Sequence, residues 1–448
     1  MKPKLTIIIL LLAALITSAF SCRCTPPEVT EKIEPLELTW WRAWDSSDDV
    51  ADIINAYQQL HPHITITYKK LRYEEYENAL LNGWARDQGP DIFSLTNTWI
   101  RKYQDQISLP PEKTGIPRII VSGPSFRQTT KIVIQTLNFP TAQDIKKDFV
   151  SPVYDDAVVD GQVLALPLAA DTMALYYNRD LLDKANIPNP PATWLEFKDA
   201  VEKLTLIDNE LQIVQSGAGI GTAKNVTRST DILSLLMLQN NVSLPDIDKP
   251  SKTESNYYPG IEALEFYTDF ADPNKEIYTW NGGQPNSLDA FISGRSAMFF
   301  GYAYHLPTIK ARAPKLNFEI SPMVQISRNQ NVVANTANYW VESVSKKSEH
   351  PEEAWDFLLF ATTGEVVKDY LEKTKKPTAL RSLVNEQKKD PDLSAFTSQL
   401  LTAKSWYQGK DFNKVEDIFA EMIDSVVTGQ NTSQKAAQTA TQKIKQTY

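Results

Sequence analysis

One stretch near the start of the chain constrains the fold most, because strand-like and helix-like patterns alternate there without a break. Residues 36–41, 64–68 and 91–95 are short apolar or alternating segments that predict strands. Between them, residues 50–60 and 73–84 carry apolar side chains at helical spacing. Helices that alternate with apolar strands predict an α/β lobe built on a mostly parallel sheet.

Local capping signals mark where two of the helices begin. Ser46 is followed three residues later by Asp49, and Thr193 is followed in the same way by Glu196. Both pairs have the spacing of a capping box, so we predict helices that start directly after Ser46 and Thr193. Further helical patterns cover residues 231–239, 260–270 and 415–426. Three tryptophans lie on helical patterns and are expected in the core: Trp84, Trp194 and Trp355.

The N-terminus has the pattern of an export signal. A basic start is followed by the mostly apolar residues 5–20, a run shorter than the roughly 20 residues of a membrane-spanning helix. The segment resembles a bacterial lipoprotein signal, in which a cysteine is lipidated and becomes the new N-terminus. The resemblance implies a signal over residues 1–21, lipidation of Cys22 and a tether over residues 22–35, although Ala19 stands where such signals prefer Leu. An uncleaved anchor helix and a plain cleaved signal are the alternatives.

Composition excludes several classes of protein and site. The formal charge of −9 argues against nucleic-acid binding, which needs a basic surface. The two cysteines are Cys22 and Cys24, so no disulfide is expected in the rest of the chain. The few histidines and the lack of phosphate-loop or nucleophile-elbow motifs predict neither metal nor cofactor. A carboxylate pair for glycoside hydrolysis stays open, since Asp and Glu number 55.

Four blocks in order resemble the extracellular solute-binding proteins of family 1, the receptors of sugar-type ABC importers. The blocks are residues 38–95, 160–204, 288–309 and 339–365. The resemblance implies an α/β fold of two lobes, a type II periplasmic-binding-protein or Venus-flytrap architecture, with a ligand cleft between the lobes. It also implies a binding protein without catalytic activity.

The resemblance further implies how the chain is divided between the lobes. Lobe 1 is expected from residues 36–170 plus 301–375, and lobe 2 from residues 171–300 plus 376–448. Hinge motion is expected near Asp171, Phe300 and Lys376. Residues 110–140 are Pro-rich and locally basic, and are interpreted as an insertion or a lid-like loop.

Candidate ligand-binding residues come from strand ends, polar breaks and loop aromatics. Ligands of open α/β sheets bind at the carboxyl ends of strands. Aromatic faces cover the apolar face of a sugar ring, while Asp, Asn, Arg and Thr pair with its hydroxyls. Each aromatic could instead be core packing, and each polar residue a turn or cap. The candidates are Trp41, Arg42, Asp45, Asn97, Thr98, Asp171, Trp280, Tyr302, Tyr339, Trp340, Arg381 and Trp406.

The expected function is that of a membrane-tethered, extracytoplasmic receptor that acts as a monomer. Its partners would be a carbohydrate, most simply an oligosaccharide, and the transmembrane permease subunits of an ABC importer. Two alternatives remain from the sequence: a secreted glycoside hydrolase with an aromatic cleft, and a sensor that presents its ligand without transport.

Overall fold

The computed structural model describes residues 34–122, 129–134, 136–327 and 333–448. The expected signal over residues 1–21, the expected lipidation site Cys22 and nearly all of the tether lie outside the described residues.

Helices supply much of the described chain. They are α1 (Ser47–Leu60), α2 (Tyr73–Ala85), α3 (Ile100–Tyr103), α4 (Ala142–Asp148), α5 (Ser151–Ala157), α6 (Arg179–Lys184), α7 (Trp194–Leu204), α8 (Ser229–Gln239), α9 (Pro259–Asp269), α10 (Ser287–Ile292), α11 (Leu306–Arg312), α12 (Pro351–Ala361), α13 (Gly364–Thr374), α14 (Arg381–Gln387), α15 (Ser394–Thr397), α16 (Phe412–Val427) and α17 (Ser433–Ile444). Short 3-10 turns cover Asn97–Trp99, Gln104–Gln106, Ala303–His305 and Lys445–Thr447.

The strands are mostly short. They are β1 (Leu36–Arg42), β2 (Ile64–Lys70), β3 (Ile92–Thr96), β4 (Lys113–Thr114), β5 (Pro117–Ser122), β6 (Thr129–Ile134), β7 (Leu137–Asn138), β8 (Val158–Val159), β9 (Gln162–Val163), β10 (Asp171–Thr172), β11 (Ala174–Asn178), β12 (Leu206–Ile207), β13 (Ile213–Ala218), β14 (Ser296–Gly301), β15 (Phe318–Pro322), β16 (Asn335–Asn338), β17 (Trp340–Val344) and β18 (Ala403–Lys404).

The first lobe is built on a four-stranded sheet in the order β17-β3-β1-β2. Strand β1 runs parallel to β2 and β3, while β17 is antiparallel to β3. Helices α1 and α12 pack on this sheet, and their apolar faces form its core with buried residues such as Trp40, Tyr57 and Trp355. The predicted strand and helix alternation and the mostly parallel sheet are confirmed.

Both predicted capping boxes are present. The Ser46 hydroxyl accepts from the Asp49 backbone N–H at 3.3 Å, and the Asp49 carboxylate accepts from the Ser46 N–H at 2.7 Å. The pair at Thr193 and Glu196 has the same reciprocal bonds. Each box satisfies two N–H groups that have no partner inside the helix, which explains why the sequence located these starts correctly.

The second lobe is built on a five-stranded sheet in the order β12-β13-β14-β11-β15. The assignment of residues 301–375 to lobe 1 is therefore wrong for part of its length, because β15 pairs with β11 along the whole strand. The backbone crosses to the first lobe at β16, later than Phe300, which is an interior residue of β14.

Three segments lie side by side where the chain passes between the lobes. Strand β10 pairs with β16 through Asp171 and Asn338, and Ala170 donates its N–H to the Pro377 carbonyl at 3.0 Å. Asp171 and Lys376 thus lie at or directly beside these crossings. The segments that connect the two lobes are therefore held together by backbone hydrogen bonds.

The described residues within 110–140 include two antiparallel strand pairs, β5 with β6 and β4 with β7. The base of this segment is fixed to the first lobe: Thr114 Oγ1 donates to Asp356 at 2.9 Å, and His61 Nδ1 donates to the Pro117 carbonyl at 2.8 Å. Arg118 also lies 3.4 Å from the buried Asp356. None of its described residues lines the cleft between the lobes, so the structure gives no support to a lid.

The contribution of the Thr193 cap to stability can be measured by substitution. Thr193→Ala should lower the free energy of unfolding by about 1 kcal/mol, because the first turn of α7 loses its side-chain acceptor. Thr193→Ser keeps the hydroxyl and should unfold close to wild type. Urea unfolding followed by circular dichroism measures both. Equal midpoints for the two variants would contradict a contribution from this cap.

Candidate ligand-binding cleft

A cleft of about 610 Å³ lies between the two sheets, beside the three crossings. Both lobes line it. The first lobe contributes residues that follow β1, lie on β3 or begin β17, and the second contributes the residue before α8 and the turn after β14. The third crossing adds Lys375 and Lys376.

The first-lobe wall follows from strand direction. Parallel strands β1 and β3 present their carboxyl ends at one edge, where ligands of α/β proteins bind. Antiparallel β17 begins at that same edge, so Trp340 lies opposite Thr96. Arg42, the last residue of β1, and Asp45 follow at this edge. The sheet thus brings together residues nearly 300 positions apart.

A buried ionic network underlies this wall. The Arg42 guanidinium lies 2.5 Å from Asp45 and 3.1 Å from Glu342 on β17. Lys376 also pairs with Asp45, and the Tyr370 hydroxyl donates to Asp45 at 2.8 Å. Although burial opposes ionisation, the two cations hold the pKa of Asp45 well below its usual range.

Glu342 is the innermost carboxylate of this network. It is completely buried and accepts from Ser94 Oγ at 2.7 Å and from Trp40 Nε1 at 2.8 Å. A buried charge needs such partners, since its desolvation is expensive. The network therefore ties β1, β3 and β17 to the third crossing.

Aromatic rings cover the first-lobe wall. Trp44 and Tyr73 stack at 5.2 Å with an interplanar angle of 24°, and they are 53% and 38% exposed. Trp340 meets both edge-on, at 6.5 Å and 6.2 Å between ring centroids, and is half-buried. The stacked pair leaves apolar ring surface accessible in the cleft.

The second-lobe wall has a cation and an aromatic ring. Arg228 precedes α8 in the left-handed conformation, with φ 61°, which is uncommon for a residue other than Gly. It pairs with the buried Asp231 at 2.6 Å and lies over the Tyr302 ring at 5.8 Å. Tyr304 stacks on Tyr302 and is 48% exposed. The cleft thus has exposed aromatic surface on both sides.

Asp171 lies at the crossing end of the cleft. Burial raises its pKa to about 8, against the effect of backbone N–H groups of Thr172, Ala303 and Tyr304 that bond to the carboxyl group. The Thr172 N–H donates at 2.8 Å. The Asp171 carboxyl group is thus a hydrogen-bond acceptor between the two walls, in one of the segments that connect the lobes.

Five of the twelve residues predicted from the sequence line the cleft: Arg42, Asp45, Asp171, Tyr339 and Trp340. The side chain of Tyr339 is nevertheless buried, with its hydroxyl donating to Asp156 at 2.7 Å. Asn97 donates to the same carboxylate at 3.3 Å, behind the wall. Burial keeps the pKa of Asp156 raised, to about 6.

Seven of the predicted residues do not line the cleft, Asn97 among them. Tyr302 and Trp406 are buried in the second lobe, where they donate to Asp231 at 2.8 Å and 2.9 Å. Trp280 is completely buried. In these three, packing of a large ring outweighed its position in a loop or at a strand end.

The other three residues are displaced from the cleft for different reasons. Trp41 alternates with the inward-facing Trp40 on β1, and its ring instead meets Lys69 at 4.3 Å. Thr98 is buried in the 3-10 turn after β3. Arg381 begins α14 and donates to Ser151 at 3.0 Å.

The twelve candidates predicted from the sequence do not include Trp44, Tyr73, Arg228 and Tyr304, all of which line the cleft. Trp44 and Tyr304 follow the ends of β1 and β14, so the rule on strand ends applied to them too. Tyr73 was included in the apolar pattern of α2, although it lies at the first position of that helix. No local sequence pattern indicated that Arg228 would line the cleft.

The ionic network predicts how acid affects stability. Asp45→Asn should lower the free energy of unfolding by about 3 kcal/mol at pH 7, because Arg42 and Lys376 lose their shared partner. A carboxyl group with a lowered folded-state pKa stabilises above its unfolded pKa, near 4, and loses this contribution as pH falls.

Urea midpoints of wild type and Asp45→Asn should therefore converge as pH is lowered from 5 to 2. A constant difference across that range would contradict the ion pair as its cause.

None of the helices described is both long and apolar enough to cross a bilayer. Nor does the described part of the chain hold a group of three His, Cys, Asp or Glu side chains suited to a metal ion.

Comparison with known proteins agrees with this architecture. The multiple sugar-binding protein of Streptococcus mutans is 23% identical over 331 residues, covering 72% of this chain and 74% of the relative. The sn-glycerol-3-phosphate-binding periplasmic protein of Yersinia enterocolitica is 26% identical over 403 residues, covering 79% and 88%.

A solved structure confirms the fold. The cyclic alpha-maltosyl-1,6-maltose binding protein of Arthrobacter globiformis superposes with a TM-score of 0.70 at 18% identity, covering 92% of this chain and 99% of that one. The family model described as "Bacterial extracellular solute-binding protein" matches residues 52–395. Since this match spans most of the sequence, the chain belongs to the bacterial extracellular solute-binding proteins.

Proposed function

We propose that the protein is the receptor of an ABC importer and binds a carbohydrate in the cleft without chemical change. The observation that carries the proposal is the pairing of exposed aromatic rings on both walls, Trp44 with Tyr73 on one and Tyr304 on the other. A pyranose ring has an apolar C–H face edged by hydroxyls. Aromatic surface suits the face, and the polar groups between the walls suit the edge.

The named ligands of relatives support this reading. One sequence relative is named for multiple sugars, and a structural relative was solved with alpha-D-tagatose bound. The proposed ligand is a sugar or short oligosaccharide. Of the five sequence-predicted residues that line the cleft, the proposed ligand contacts are Arg42, Asp45, Asp171 and Trp340, since the side chain of Tyr339 is buried.

Binding without catalysis is also favoured by the carboxylates. Glycoside hydrolysis needs one carboxyl group as acid and a second as nucleophile or base. Asp45 is committed to Arg42 and Lys376, and Asp171 to backbone donors. Incubation with mixed oligosaccharides should therefore yield no cleavage products, whereas turnover would favour a hydrolase.

We further propose that the lobes close by hinge motion about the three crossings, with the protein acting as a monomer. Closure would bring Tyr304 towards Trp44 around the ligand. It would also present a defined surface to the permease, and a permease gene beside this one would favour import over sensing.

Trp44 provides the sharpest test of the aromatic wall. Trp44→Ala should weaken sugar binding by about tenfold, since a stacked aromatic contributes roughly 0.5–1.5 kcal/mol beyond its buried area. The matched control is Trp41→Ala, which removes the same side chain three residues away, outside the cleft. Isothermal titration calorimetry with a sugar found by thermal shift measures both. Equal losses in the two variants would contradict the proposed wall.

We also propose that Cys22 carries the lipid that anchors the mature protein. The small residues before it and the polar, Pro-rich residues after it support this. Cys22→Ser, expressed in a host that lipidates, should leave the detergent phase on phase separation. Full retention in that phase would favour an uncleaved anchor helix instead. Cys24→Ser is the matched control and should partition as wild type does.

A further inference from the structure

The charges around the cleft are already balanced by one another. Four cationic side chains line its described surface, and each has a carboxylate within 4.0 Å. Arg42 and Lys376 face Asp45 and Glu342, which gives two charges of each sign. The first-lobe wall therefore has no cation left over for an anionic ligand.

The second-lobe wall has an excess of negative charge. Arg228 binds Asp231 through Nη2 at 2.6 Å and through Nε at 2.7 Å. Asp231 is completely buried and is held by Tyr302 and Trp406, so this pairing is fixed. Glu416 lies 3.8 Å from Arg228 on the other side. Burial raises the pKa of Glu416 to about 7, so this second carboxyl group is largely ionised at pH 8. One cation thus faces two carboxylates.

The helix starts near the cleft are occupied as well. A free helix N-terminus is a common phosphate site, since its backbone N–H groups point at the anion. Here Asp231 lies in the first turn of α8, and the backbone N–H groups of Ala303 and Tyr304 bond to Asp171. The protein's own carboxyl groups hold the positions that a phosphate would use.

An anionic ligand would have to displace one of these pairs. Its charge would meet Asp45 or Glu416 in a partly dehydrated site, and drawing Arg228 away would leave the buried Asp231 with no cation. Leaving a buried charge unpaired is strongly unfavourable. An uncharged ligand needs only the hydrogen-bond capacity that these groups retain.

We infer that the cleft selects an uncharged sugar and rejects phosphorylated or carboxylated ligands of the same size. This inference rests on the proposed carbohydrate function and deepens it. It also sets the chain apart from the relatives named for sn-glycerol 3-phosphate.

The test is a calorimetric panel of matched pairs. Glucose, maltose and glycerol are compared with glucose 6-phosphate, maltose 1-phosphate, glucuronate and sn-glycerol 3-phosphate. The panel is run at pH 8, where Glu416 is largely ionised, and at low ionic strength, where charge effects are largest. The charged member of a pair should bind about 100-fold more weakly. A charged member that binds as tightly as its neutral counterpart, or more tightly, overturns the inference.

Failure of the proposed function gives a different result. If no neutral sugar binds, the carbohydrate proposal fails. The inference is then tested only by whether the charged ligands of the panel bind in the cleft. Binding of any anion in the cleft then overturns the inference, while its absence supports the exclusion of anions.

A charge variant tests the cause. At pH 8, where Glu416 is largely ionised, Glu416→Gln keeps nearly the same shape and removes one negative charge, while Asp231 still pairs with Arg228. The affinity ratio between neutral and charged sugars should fall at least threefold. Glu421→Gln, one turn and a residue further along α16 and paired with Lys443, is the matched control and should keep the wild-type ratio. An unchanged ratio in Glu416→Gln overturns the electrostatic cause.

Discussion

The buried network of Arg42, Asp45, Glu342 and Lys376 is the interaction on which the cleft depends. Arg42 ends β1, Glu342 lies in β17 and Lys376 belongs to the third crossing, so one set of ion pairs connects the sheet edge to the hinge. Buried charges tolerate little displacement, because each needs its partner. The strand ends that form the first-lobe wall are thereby held in a fixed arrangement relative to the crossing.

Around this fixed edge, the two lobes offer different surfaces. The first presents stacked rings, Trp44 on Tyr73, supported edge-on by Trp340. The second presents Tyr304 and an Arg228 whose backbone lies in a sparsely populated conformation. Such strain persists where the surroundings require it, and here the bonds to Asp231 and the ring of Tyr302 do so.

The elements were more predictable from sequence than the site. The helix starts after Ser46 and Thr193 depend on residues that are close in sequence, and so do strands β1 to β3. Their local sequence patterns were therefore enough to predict them. The identity of the aromatic residues that line the cleft was not predictable in this way. Trp41, Trp280 and Trp406 had the same local appearance as Trp44, yet alternation turned Trp41 away and packing buried the other two. A ring in a loop gives no indication of which side of the chain the cleft will be on.

The sequence by itself determined the α/β class, the capped helices, the family and the edge of the sheet at which a ligand would bind. The class, the caps and the sheet edge follow from short-range periodicity, capping and strand direction, whereas the family follows from the resemblance of four sequence blocks in order. Only the tertiary structure decided that the chain passes back to the first lobe at β16, and which rings stay accessible. It also decided that every cation lining the described cleft has an internal partner. Such pairings join residues as distant as Asp45 and Lys376, and proximity of that kind is set by packing and not by the local pattern.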